Sequence, residues 1–191
     1  MNVAHRRPMT SEEFLAWDAG QELRHEFDGV RPIAMVGGTF AHTTIQGNVI
    51  AALKAALRGN PCRPGGPDMR VPTGAGRYRY PGALVTCTPP PPDATEVTEP
   101  VALFEVLSAS TANDDRTVKA REYLALPSLR HYVMLEQDRA FATVISRSES
   151  GWTHTLVRPG GTVELPAITA GLAMTDLYDG LAFAAGDVAP P

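Results

Sequence analysis

Cysteine is scarce in this chain: Cys62 and Cys87 are the only two among 191 residues, and they form no CxxC pair. That scarcity argues against a zinc site or a disulfide framework and fits a reducing compartment, the cytoplasm. Long hydrophobic runs are missing too. Arg6 and Arg7 are followed by no apolar stretch, so neither a secretory signal nor a membrane span is expected. Positive charge is not in excess, with 17 Lys and Arg against 21 Asp and Glu and a formal net charge of −4. A protein that coats nucleic acid through bulk charge is thereby disfavoured, and any such binding has to use a local basic groove. No internal repeat is visible.

What is present suits one core. A hydrophobic content of 43% over this length predicts a single domain across residues 1–183, followed by a small, Pro-containing, frayed tail at 184–191. Thr10 and Glu13 form a capping box ahead of a short helix at 11–17. Asp28-Gly29 joins two strands at 22–27 and 30–36 into a hairpin, with Pro32 placing the second at an edge or bulge. Ile45, Val49, Leu53, Ala56 and Leu57 recur at helical spacing through 39–58. A second hairpin is expected from 69–72 and 78–86, and the prolines at 89–92 read as a loop.

Residues 101–107 are almost continuously apolar, as in a central strand covered on both faces, and Glu105 interrupts them. A helix over 114–126 follows, with Val118, Tyr123 and Leu126 inward, then strands at 131–136, 141–146, 152–157 and 162–165. The alternation predicts an α/β (α+β) fold with a mixed sheet flanked by helices.

A carboxylate in a buried strand has to be neutralised, paired or coordinated. Glu105 is open to two readings, a structural ion pair or a metal ligand. Lys119 lies fourteen positions downstream on the next helix, within reach of the strand's end or simply solvated. An acid, a lysine and a divalent metal together are the parts of a phosphodiesterase. Asp68 and Arg70 read as a cross-strand polar pair or as site residues. Tyr78 and Tyr80, with Arg77 and Arg79, fit either a half-buried strand or a backbone contact to nucleic acid. Asp115 and Arg116 read as a helix start.

The runs Tyr78-Arg79-Tyr80-Pro81, Phe104-Glu105-Val106-Leu107-Ser108-Ala109-Ser110-Thr111 and Asp115-Arg116-Thr117-Val118-Lys119, then Tyr123, resemble the signature of the Uma-two family of bacterial restriction-endonuclease-like proteins. The openings Met9-Thr10-Ser11-Glu12-Glu13-Phe14 and Glu26-Phe27-Asp28-Gly29, with His42 and Asp68-Met69-Arg70-Val71, match as well, so the resemblance spans about residues 9 to 177. It implies a PD-(D/E)XK nuclease core that binds Mg²⁺ (or Mn²⁺) and acts on nucleic acid, most simply DNA, as a homodimer. Carried across, Glu105 becomes metal ligand and catalytic residue and Lys119 the catalytic lysine, while His42, Arg70 and Glu26 line the substrate site. The first metal-binding Asp is replaced by Gly82, and Asp68, opposite it if the hairpin folds about 74–77, is the candidate substitute. The alternative is a catalytically silent scaffold that binds nucleic acid or protein.

Overall fold

The structure, a computed structural model, describes residues 7–35, 37–74, 76–108 and 112–183; the tail at 184–191 lies outside them. Helix α1 (Ser11–Asp18) starts where the capping box places it: Thr10 Oγ1 accepts the Glu13 N–H at 3.1 Å and Glu13 Oε2 accepts the Thr10 N–H at 2.9 Å. It buries Phe14, whose ring stacks 4.6 Å from Phe27 on β1 (His25–Phe27). The Asp28 carboxylate accepts the Val30 and Arg31 N–H groups and Gly29 takes φ 91°, turning the chain into β2 (Pro32–Ala34). Both strands are shorter than the sequence suggests.

Thr39 caps α2 (Phe40–Ala56), which buries Ile45, Val49 and Leu53. Next comes β3 (Arg63–Gly65), a strand hidden by its Pro and Gly and tolerated because it is the outer strand of a six-stranded sheet. The expected second hairpin forms only in part: β4 (Val71–Pro72) pairs with β5 (Tyr78–Arg79), but β6 (Ala83–Thr86) has crossed into the larger sheet. The small sheet runs β2-β1-β5-β4, so Pro32 sits on an edge strand as expected.

The larger sheet is built on β7 (Pro100–Leu107), with β6 antiparallel on one side and β8 (His131–Glu136) parallel on the other. Beyond β8 lie β9 (Ala142–Ser148) and β10 (Gly151–Val157), both antiparallel. A β11–β12 hairpin (Thr162–Leu165, Ala170–Ala173) closes the fold; the small-residue β12 was not legible in the sequence. Among the described residues no helix is long and apolar enough to cross a membrane.

The period of two divides the core. Ala102, Phe104 and Val106 of β7 pack with α2 and the C-terminal hairpin, while Leu103 and Leu107 face the helical segment that follows β7. That segment comprises α3 (Ala112–Asp114), a π-helical turn at Asp115–Lys119 and α4 (Ala120–Leu124). The wider π turn rotates Val118 outward, to 42% exposure, which corrects its expected inward position; Tyr123 and Leu126 are buried as expected.

The cysteines correct a second expectation. Cys62 and Cys87 stand one step beyond the paired Arg63 and Thr86 and are joined as a disulfide. The β3–β6 pairing that brings them together could not be read without β3.

His131 on β8 is buried; its Nε2 accepts the Ala167 N–H at 3.2 Å, and Nδ1 lies 2.9 Å from Ser146 Oγ. Burial lowers its pKa to about 4, below the unfolded value near 6.5, so its contribution to stability is present above pH 6.5 and lost as pH falls toward 4. In urea unfolding, His131→Gln is expected to lose about 1–2 kcal/mol less than the parent between pH 7 and 4.5, after allowance for solvent screening. Equal losses in the two proteins would remove His131 as the cause.

Candidate active site

Glu105 lies on the same face of β7 as Leu103 and Leu107, and so points at the helical segment. Asp115, Lys119 and Tyr123, spaced by four, bring their side chains to meet it. Lys119 Nζ is 3.4 Å from Glu105 Oε1, 3.1 Å from Asp115 Oδ1 and 3.0 Å from Glu26 Oε1. The Tyr123 hydroxyl donates to Glu105 Oε1 at 3.0 Å, and the Tyr132 hydroxyl donates to the Asp115 carbonyl oxygen at 2.9 Å.

Behind this cluster, the Arg79 guanidinium joins Glu26 and Glu122: Nη1 lies 3.2 Å from Glu26 Oε2 and Nε 2.7 Å from Glu122 Oε2. Thr73 Oγ1 donates to Glu122 as well. Four buried carboxylates, Glu26, Glu105, Asp115 and Glu122, thus share two buried cations, Lys119 and Arg79.

The charge imbalance sets the proton affinities. Burial pushes the Glu105 carboxyl up to about 7 despite Lys119 beside it, and Asp115 and Glu26 add to the rise. Lys119 is burdened by its own burial, but the three carboxylates outweigh that cost and hold its pKa above the usual lysine value. It stays an ammonium at neutral pH. His42 is pushed the other way: burial lowers its pKa, so its imidazole is neutral there.

These groups open onto a cavity of ≈ 170 Å³ whose lining includes Glu26, His42, Gln46, Gly82, Glu105 and Lys119. Gly82 stands one step beyond the paired Ala83 and Phe104, and so beside Glu105. A Cβ there would come within 3.2 Å of the Phe104 carbonyl oxygen and 3.3 Å of Gln46 Nε2. The close approach of β6 to β7 at this point suits a residue without a side chain.

Of the residues picked out in the sequence, Glu105, Lys119, Glu26 and His42 are brought together, and Asp68 and Arg70 are not. Asp68 pairs with Arg24, while Arg70 pairs with Glu96 at 3.2 Å and lies over the Tyr78 ring; both line a separate cavity of ≈ 510 Å³. The reason is register. The β4–β5 pairing of Val71 with Arg79 would, if continued, place Asp68 opposite Gly82, but Arg70 bridges to Glu96 instead and the chain parts from β5. Asp68 and Arg70 do not form the expected pair with each other either. Asp115, read from sequence as a helix start, is a buried member of the cluster. Its spacing of four residues to Lys119 and eight to Tyr123 was the available signal.

The donors suit a hard divalent cation in kind: all are carboxylate oxygens, in excess over the buried positive charge. Their placement is less open. Lys119 Nζ holds the shared centre, and among the described residues no three His, Cys, Asp or Glu side chains are arranged to hold a metal ion as they stand.

A mixed sheet with a parallel pair at its centre, flanked by helices, is a fold of the restriction-endonuclease-like class. The chain belongs to the Uma2 family, described as "Putative restriction endonuclease", whose model matches residues 11–177. It is 29% identical over 178 residues to the "Uncharacterized protein slr1290" of Synechocystis sp., covering 92% of this chain and 94% of that one. Its fold is similar to the crystal structure of "a putative nuclease belonging to DUF820" from Anabaena variabilis ATCC 29413, with a TM-score of 0.75 and 18% identity, covering 90% of this chain and 98% of the other.

Proposed function

We propose that the protein is a Mg²⁺-dependent nuclease that hydrolyses phosphodiester bonds, with its activity held low by the missing carboxylate at Gly82. The observation that carries this reading is the convergence of Glu105 and Lys119 beside Gly82 and His42 on one cavity. Membership of the Uma2 family supports it. Glu105 is the carboxylate that the family resemblance assigns to the cation, and Lys119 stands between it, Glu26 and Asp115. Mg²⁺, when bound, supplies positive charge for the phosphoryl oxygens.

Lys119 cannot serve as a base while three carboxylates hold its proton; its role is positive charge toward the phosphate. His42, neutral and lining the same cavity, is the proposed acceptor of a proton from the attacking water. DNA is the proposed substrate and a two-fold homodimer the proposed assembly, the commonest closed form for soluble proteins.

The silent-scaffold reading draws on the same glycine. Gly82→Asp separates the two. The aspartate has to displace Gln46 and crowd the Phe104 carbonyl oxygen, at a cost of about 1–3 kcal/mol in stability, while adding a carboxylate at the position opposite Glu105. Single-stranded and supercoiled DNA are incubated with the parent and Gly82→Asp in Mn²⁺. The nuclease reading predicts slow cutting by the parent and at least about tenfold faster cutting by the variant. Cutting only by Gly82→Asp makes this a disarmed nuclease, and no cutting by either favours the scaffold.

A further inference from the structure

We infer that the ≈ 510 Å³ cavity holding Asp68 and Arg70 receives an unpaired, amino-bearing nucleobase of the substrate strand, beside the cavity that takes the phosphate. The inference rests on the nuclease reading for its class of substrate and deepens it by naming a nucleotide subsite. Size comes first. Pockets that take small organic molecules run to about 300–1,000 Å³. The two cavities at Lys119 measure ≈ 170 and ≈ 270 Å³ and fall short of that range, whereas the ≈ 510 Å³ cavity lies within it. Tyr80 lines both this cavity and the one with Glu105 and His42, so the two share a wall. Its backbone N–H donates to Glu26 Oε1 at 3.2 Å, which ties that wall to the buried cluster. A strand whose phosphate enters the smaller cavity has the larger one at hand for the neighbouring base.

The lining favours a base over a second phosphate. Asp18, Glu22 and Asp68 set three carboxylates against two guanidinium groups, and each guanidinium already has a carboxylate partner, Asp68 for Arg24 and Glu96 for Arg70. An anion would meet a net negative field there. The edge of a neutral base meets acceptors and donors together: carboxylate oxygens accept from an exocyclic amino group, and a guanidinium donates to a ring nitrogen or carbonyl oxygen. Leu15, Leu23 and the Tyr80 ring offer apolar walls to its faces. Guanine, adenine and cytosine carry the amino group, and thymine does not. In a duplex the pairing edge is covered by the partner base, so the strand has to be unpaired at this point.

The test is fluorescence anisotropy of labelled single-stranded oligo-dC and oligo-dT of equal length, at low salt and in chelator, with the parent and with the double variant Glu22→Ala, Asp68→Ala. Both substituted residues are exposed, so the variant is expected to keep the parent's thermal transition. The parent is expected to bind oligo-dC at least about fivefold more tightly than oligo-dT. In the double variant the loss of two negative charges raises affinity for both strands, while their ratio is expected to fall below about twofold. Duplexes of oligo-dC with oligo-dG and of oligo-dT with oligo-dA are expected to show no such preference. Equal affinity of the parent for the two single strands, a preference that the double variant keeps, or binding of neither strand would each overturn the inference. Free deoxycytidine monophosphate that displaces oligo-dC at the strand's own concentration would make this a site for a free nucleotide, and would overturn it too. Every readout is binding without metal or cleavage, so failure here is distinct from failure of the nuclease reading.

Discussion

Glu105→Gln is expected to abolish cleavage and, at pH 8, to make the protein more stable. The carboxyl sits at about 7 in the folded chain and near 4.5 in the unfolded one. Between those values the native state holds a proton that the unfolded state has released, so stability falls as pH rises through the window, and the full deficit is present above pH 7. The difference corresponds to roughly 3 kcal/mol at pH 8. Glutamine keeps an oxygen for the Tyr123 hydroxyl and removes the titration. Urea unfolding of parent and variant at pH 5 and pH 8 should therefore show a gain at pH 8 that shrinks at pH 5. The same substitution should lower metal-dependent cleavage by a factor of about 10² or more, since a reacting-centre carboxylate is lost. A variant that is destabilised equally at both pH values would mean that Glu105 is a structural ion-pair partner and nothing else.

Arg79→Met is expected to be the most damaging single change to the fold. Its guanidinium is 4% exposed and is the shared partner of Glu26 and Glu122, whose own side chains are 9% and 8% exposed. Removing it leaves Glu122 with only the half-exposed Arg77, 3.6 Å away, and Glu26 with only Lys119, which costs about 3 kcal/mol. Glu26 would also lose the contact that aims its other oxygen at Lys119, so cleavage should fall although Arg79 does not line the cavity with His42 and Gly82. Denaturation at neutral pH and the cleavage assay together check this; a loss under about 1 kcal/mol would show that the network is solvated and weak.

The legibility of this site followed the range of the interactions. Local chemistry was readable: the Thr10–Glu13 box, the Asp28-Gly29 turn and the strand at His131–Glu136 all formed where residue types require them. So was the anomaly of one acid in an apolar strand, because burying it demands a partner within reach. What failed was register between strands distant in sequence. Asp68 and Gly82 each lie three residues beyond the last paired Val71 and Arg79, and the chain left the hairpin before reaching them. The Cys62–Cys87 bond depends on a strand made of Arg, Pro and Gly, which no propensity marks. The outward turn of Val118 comes from a π turn that the helical period does not anticipate. Arg79 was read as a strand residue able to touch a backbone; its burial between two glutamates is a tertiary fact.

Nicking of supercoiled plasmid in Mn²⁺ by the parent and by Lys119→Ala tests the central claim most directly. Cutting by the parent that requires the metal and disappears with Lys119→Ala is the predicted result. Equal cutting by both, or cutting that persists in chelator, would contradict a nuclease built on Glu105 and Lys119.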